Sequence, residues 1–378
     1  MPRLAWLLLP LALLAVLLAA LLIWRPLDPL ASGAPPVEEI GIERVRLSPG
    51  LIELDVRADG SQPVSVAQLQ VDGAYRTFTQ SPPGPIGRLE TATLAIDYPW
   101  VEGETHHLLI LTSTGVTFDK TIDVAQATPT LERSTAVTLA LVGLLLGIAP
   151  IAAGMLAYPA LRSVGDHGMQ FLLALTVGLL AFLFIDTLRE GLEFSANAVE
   201  RLRTETLVWV SMLASAALLL AAGRRGGRAP QGVALAFFIA LGIGLHNFGE
   251  GLAVGASLAA GAAALATFLV IGFTIHNVTE GVGIAVPLID ARPALVLFVG
   301  LVLLAGLPAV AGVWLGALAV RPLWLALSFG VAAGALLQVI IEVGALALRR
   351  GGRLAVGPAS LGGIAAGLGI MYATALLV

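Results

Sequence analysis

The fold class predicted is an all-α polytopic membrane protein carrying a small all-β domain near its N-terminus. Three observations predict it. Only 12% of the 378 residues are charged and 57% are hydrophobic, whereas a soluble domain carries about 25% charged residues. The apolar residues come in runs of about 20, the length at which a helix crosses a bilayer. After the first such run, residues 40–126 change to short segments in which apolar and polar residues alternate, the mark of half-buried strands. The net charge of −4 excludes little, because it is unevenly spread. The absence of cysteine excludes disulfides, thiolate metal ligands and thiol catalysis, and leaves a metal site only nitrogen and oxygen donors.

Residues 5–24, AWLLLPLALLAVLLAALLIW, lie between Arg3 and Arg25. They exceed the apolar core of about 7–15 residues found in a signal peptide. This favours an uncleaved transmembrane anchor over residues 1–27, with the small residues of LASGA keeping a cleaved signal peptide open. Either way the next segment lies outside the cytoplasm. Residues 28–39 read as a linker. In residues 40–128, Ile52, Leu54, Val56 and Ala58 alternate with Glu53, Asp55 and Arg57. Ala67, Leu69 and Val71 alternate with Gln68 and Gln70, and Asp72-Gly73 supplies a hairpin turn. A second hairpin turns near Thr114-Gly115. Short strands at regular spacing predict an extracytoplasmic β-sandwich of immunoglobulin style. His106 and His107 are neighbours on a strand, so they point to opposite faces, and both read as solvated. Residues 37–128 hold 13 acidic and 6 basic residues, which reads as a solvated surface.

Residues 134–378 are predicted to form eight helices, at about 135–159, 169–190, 206–222, 231–256, 261–288, 293–317, 322–348 and 357–378. With the β domain outside, the inner loops hold Arg162, Arg224, Arg225, Arg228, Arg292, Arg349, Arg350 and Arg353. The outer loops hold Arg189, Arg201, Arg203 and Arg321, mixed with acids. This bias fits a multi-pass protein of the cell (inner or plasma) membrane, with the C-terminus outside as well. Asp166 and His167 fall in an inner loop and read as plain loop residues.

Two stretches carry the chemistry: HNFGEG, residues 246–251, and HNVTEG, residues 276–281. On a helix, residues four apart share a face, so His246 meets Glu250 and His276 meets Glu280, with Asn247 and Asn277 about 100° round. A short loop near Ser257 to Gly261 makes the two helices antiparallel neighbours, with both motifs near mid-bilayer. A charged side chain there costs at least about 2.5–3.5 kcal/mol, and two carboxylates also repel each other. A divalent cation removes both penalties. Imidazole with carboxylate suits Zn²⁺, Fe²⁺, Mn²⁺, Co²⁺ or Ni²⁺, and Zn²⁺ leads. One copy of the motif would fit a structural His–Glu pair; two facing copies favour a metal site. Glycines around the motifs permit close helix approach, and Pro287 is expected to break the second helix. Asp186 and Glu342, each eight residues after a glycine on oppositely directed helices, fall at opposite mouths of one path, with Gln338 a turn from Glu342. This is the pattern of an inverted repeat of three, two and three helices.

On the doubled HNxxEG, residues 134–378 resemble the ZIP (Zrt/Irt-like) metal transporters, closest to their bacterial and organellar branch. The resemblance implies import of Zn²⁺, with Fe²⁺ or Mn²⁺ as further substrates, into the cytoplasm. It implies a transport site lined by His246, Asn247, Glu250, His276, Asn277 and Glu280, with Asp186 guiding the ion in. The chain departs from the family where Gly249 and Thr279 replace a proline, which softens any kink. Helix 293–317 also lacks an acid, the loop GRRGGRAP lacks a histidine-rich stretch, and the β domain is not part of the usual unit. No GxxxxGK[ST] is present, so ATP is not the direct driver. HExxH and G-x-S-x-G are absent as well, so the chain is not expected to be an enzyme. An intramembrane metal hydrolase is the weakest alternative; a metal sensor or receptor using the β domain is the other. Expected partners are the metal ion, the bilayer, a second copy in a homodimer and an extracytoplasmic ligand of the β domain, with no nucleic acid.

Overall fold

The computed structural model describes residues 37–378 except 123, 129–132, 197–200, 225–226, 260–262, 292, 319–321 and 377–378, together with six helical positions between 13 and 23. The anchor or signal peptide and most of the linker lie outside the described residues.

Among the described residues, eight strands form the β domain: β1 Ile40–Ser48, β2 Leu51–Ala58, β3 Val66–Val71, β4 Ala74–Arg76, β5 Phe78–Ser81, β6 Thr91–Asp97, β7 His106–Thr112 and β8 Thr117–Ile122. They make two antiparallel sheets, β1-β2-β6-β5 and β4-β3-β7-β8. Two antiparallel sheets over one shared core make the expected β domain. The predicted alternation holds in β2, where Ile52, Leu54, Val56 and Ala58 are wholly buried. Those side chains share one core with Leu69, Val71, Leu108 and Ile110 of the second sheet. Asp72 and Gly73 both take positive φ, 53° and 76°, as the tight β3–β4 hairpin requires.

His106 corrects an expectation. It does point opposite to His107, but it is buried rather than solvated. Its Nδ1 lies 2.8 Å from Asp72 Oδ2, which also accepts from the Tyr98 hydroxyl. Asp72 Oδ1 accepts from the His107 amide. Three donors on one carboxylate hold Asp72 below the usual carboxylate range, although its partial burial works the other way.

The helices are α1 Arg133–Gly143, α2 Ala149–Met155, α3 Tyr158–Leu161, α4 Asp166–Ala196, α5 Arg201–Gly223, α6 Gly232–Ala259, α7 Ala263–Ala285, α8 Leu295–Ala317, α9 Pro322–Gly351 and α10 Pro358–Ala375. A π-turn, Leu144–Ile148, joins α1 to α2, and residues 134–161 make one span. Among the described residues, seven spans are long and apolar enough to cross a membrane, which makes this a multi-pass membrane protein. The eighth expected span, α10, has 18 residues. Among the described residues it is not one of the seven.

The helix through the first motif also runs further than expected, covering Ser257 and ending at Ala259. As expected, the helix through the second motif gives way at Pro287 to a 3₁₀ turn, Val286–Leu288. The most buried spans are α6 and α9, at 56% each, so they form the interior. Glycines set the contacts. A Cβ on Gly251 or Gly255 would collide with the backbone of α8, and one on Gly312 or Gly316 with that of α6. Gly281 meets α2 in the same way, next to Glu280. Small residues thus bring backbones together where no hydrophobic force between helices exists in lipid.

Candidate metal centre

The motif helices α6 and α7 run unbroken through residues 246–251 and 276–281. Neither Gly249 nor Thr279 interrupts them, since both keep a backbone N–H, unlike proline. All six motif side chains are buried: His246, Asn247, Glu250, His276, Asn277 and Glu280 are each at most 4% exposed. The two helices bring them to one place. His276 Nε2 lies 2.6 Å from Glu250 Oε1, and His246 Nε2 lies 3.1 Å from the same oxygen. His246 Nε2 is also 3.9 Å from Glu280 Oε1. The two imidazole rings are 6.3 Å apart, inclined at 32°. His246, His276 and Glu280 each offer a ligand atom within 4.8 Å of the others.

The asparagines have a second duty. Pro150 has no N–H, so the carbonyl of Leu146, four residues earlier, loses its helical donor. Asn277 Nδ2 donates to that carbonyl at 3.0 Å and to Glu250 Oε2 at 3.1 Å. Asn247 Nδ2 donates to the carbonyl of Ala305 at 3.0 Å, three residues before Pro308 of α8. With the amide nitrogens committed to backbone, the amide oxygens turn the other way. Asn247 Oδ1, Asn277 Oδ1 and the Glu280 oxygens are buried and short of donors, with only the Asn247 amide close enough to act on Glu280. Four buried acceptor oxygens beside two imidazoles form a site whose unmet demand is for positive charge.

The π-turn before Pro150 is part of this design. It loosens the ladder of the first span, as π-turns often do at functional sites, and leaves a carbonyl aimed at Asn277.

Of the path residues, Asp186 lies within electrostatic reach of the centre's histidines, and Glu342 is paired elsewhere. Asp186 is half-buried on α4, within electrostatic reach of His246 and His276. Glu342 is fully buried on α9, but its Oε1 accepts from Arg224 Nε at 2.9 Å. Gln338 is also buried, beside Gly242 of α6.

Two residues escaped the sequence reading. Thr187 Oγ1 lies 3.4 Å from His246 Nδ1 and orients that ring. Glu190 lies one turn from Asp186, within electrostatic reach of both Asp186 and Glu250. The signal was the spacing in DTLREGLE: Asp186 and Glu190 are four apart, hence on one face.

No protein-family model matches the chain, and no curated protein matches it.

Proposed function

We propose that this protein carries divalent metal ions, Zn²⁺ first among them and Fe²⁺ or Mn²⁺ next, across the membrane into the cytoplasm. The observation that carries the reading is the convergence of two His-Asn-x-x-Glu motifs on one buried centre whose acceptor oxygens are short of donors. Two nitrogens and a carboxylate oxygen suit Zn²⁺, and the carboxylate and amide oxygens also suit Fe²⁺ and Mn²⁺.

In this reading Asp186 and Glu190 draw the ion in by their charge. His246, His276, Glu250 and Glu280 replace its hydration shell. Asn247 and Asn277 hold their helices against α8 and the first span while presenting oxygen to the ion. Ligands bind metal best when deprotonated, so proton uptake by Glu250 or Glu280 favours release. The eight helices act as an inverted repeat of three, two and three, the ZIP-like arrangement, with the central pair bearing the site and alternating access exposing it to each side in turn. The β domain lies outside the cytoplasm.

The test is uptake of radioactive zinc into proteoliposomes by the wild type and by the double variant Glu250→Ala, Glu280→Ala. Saturable uptake in the wild type that the double variant lacks is expected. Tight zinc binding with no flux in either would overturn transport. It would bring forward a metal sensor, the second reading that a folded β domain favours.

A further inference from the structure

We propose that Gln338 and Glu342 form a second cation station on the path, and that Arg224 guards it as a tethered cation which an arriving divalent metal must displace. The inference rests on the reading of the chain as a metal carrier.

Helix α9 carries a stripe at four-residue spacing: Gln338, Glu342, Leu346, Arg350. Each lies one turn from the next, so the stripe winds slowly round the helix. The stripe begins beside the metal centre. A Cβ on Gly242 would come within 3.1 Å of Gln338 Oε1, and Gly242 lies one turn before His246 on the same face of α6. The stripe ends at a cleft lined by Gln231, Pro287, Asp290, Leu346, Arg349 and Arg350. There Arg350 Nη2 donates to Asp290 Oδ2 at 2.7 Å, tying α9 to the segment between α7 and α8.

Between the two ends the stripe is polar and its demand is unmet. Gln338 is 1% exposed and Glu342 wholly buried. Gln338 Oε1 and Glu342 Oε2 are both buried without a donor. A structural ion pair buried for stability would satisfy both carboxylate oxygens, because an orphaned charge in low dielectric is costly. Here Arg224 takes one oxygen through Nε and leaves the other bare. Its side chain is 40% exposed and lies just past the end of α5, so one end of the pair is in reach of water. Guanidinium is a permanent cation that cannot be neutralised by pH. It can leave only by moving, and a divalent ion coordinated by Glu342 and Gln338 would replace it on electrostatic grounds.

The test counts ZnCl₂ equivalents bound to the purified full-length protein by titration calorimetry and measures zinc uptake in proteoliposomes. Arg224→Gln is expected to bind the station's equivalent several-fold more tightly than the wild type, in which Arg224 must first be displaced, and Arg224→Gln, Glu342→Gln to lose that equivalent. Equal affinity for that equivalent in Arg224→Gln and wild type would overturn the proposal. Arg224→Gln leaves a buried carboxylate unpaired and could fail to fold; Glu342→Gln removes the buried charge and leaves Arg224 to solvent. With the centre's zinc affinity unchanged, Glu342→Gln is expected to slow uptake several-fold. Wild-type uptake in a folded Glu342→Gln variant would mean a structural pair and sink the idea. Loss of the centre's own equivalent in Glu250→Gln, Glu280→Gln reports the metal centre separately. If that equivalent is absent from the wild type, the carrier reading fails while the Arg224-dependent equivalent is still counted.

Discussion

At the scale of single residues, the centre works because each side chain has more than one duty. Asn277 links the proline-freed carbonyl of Leu146 to Glu250. Asn277→Ala orphans two acceptors and is expected to cost about 1–3 kcal/mol. Asn277→Asp should cost more, since it sets a carboxylate against both a carbonyl and Glu250. Thermal unfolding in detergent ranks the two, and the opposite order would refute this account of the contact. In the β domain, Asp59 is 1% exposed, and burial pushes its carboxyl up to about 6, against the pull of Arg57. Its ordinary value is 3.8. Between these values the native state holds more protons than the unfolded chain, so β-domain stability falls as pH rises through that window. Asp59→Asn should flatten that slope and stabilise the domain at pH 7, as denaturation at a series of pH values would show. The HNxxE spacing made the residues of the buried His–Glu cluster legible. The carbonyls of Leu146 and Ala305 were not, because backbone acceptors carry no residue code.

At the scale of elements, glycine decides which helices touch. On α9, a Cβ on Gly334 would collide with the Met212 carbonyl of α5, while one on Gly344 meets nothing within 4 Å. Gly334→Ala is expected to destabilise the protein by a few kcal/mol, as overpacking does. Gly344→Ala should be neutral or gain up to about 1 kcal/mol from helix propensity. Equal melting temperatures for the two variants would show that α5 and α9 do not depend on this contact. Helix positions were readable from hydropathy, since the apolar runs have bilayer length. Their ends were not, because caps and tertiary contacts set them: α4 runs from Asp166 to Ala196, past both expected limits. The π-turn was likewise unreadable, although Pro150 marks the place where a helix ladder must adjust.

At the scale of the whole molecule, the count of crossings sets sidedness. If all eight helices cross, the β domain and the C-terminus share one side; if α10 does not, they are opposed. The chain has no cysteine, so single cysteines report cleanly. Ser61→Cys and Leu376→Cys are both exposed positions. Both are expected to react with a membrane-impermeant maleimide from the same face of oriented vesicles; labelling from opposite faces would remove α10 from the spans. What the sequence by itself determined is class and chemistry: a membrane protein with a β domain and two buried imidazole–carboxylate pairs. Those follow from composition, periodicity and spacing, which are local properties. Only the tertiary structure decided that Glu250 is shared by both histidines, that Asp186 comes within electrostatic reach of them, and that Glu342 is held by Arg224. Each of these joins residues from different helices, and which faces meet is set by glycine contacts and backbone carbonyls spread over more than a hundred residues.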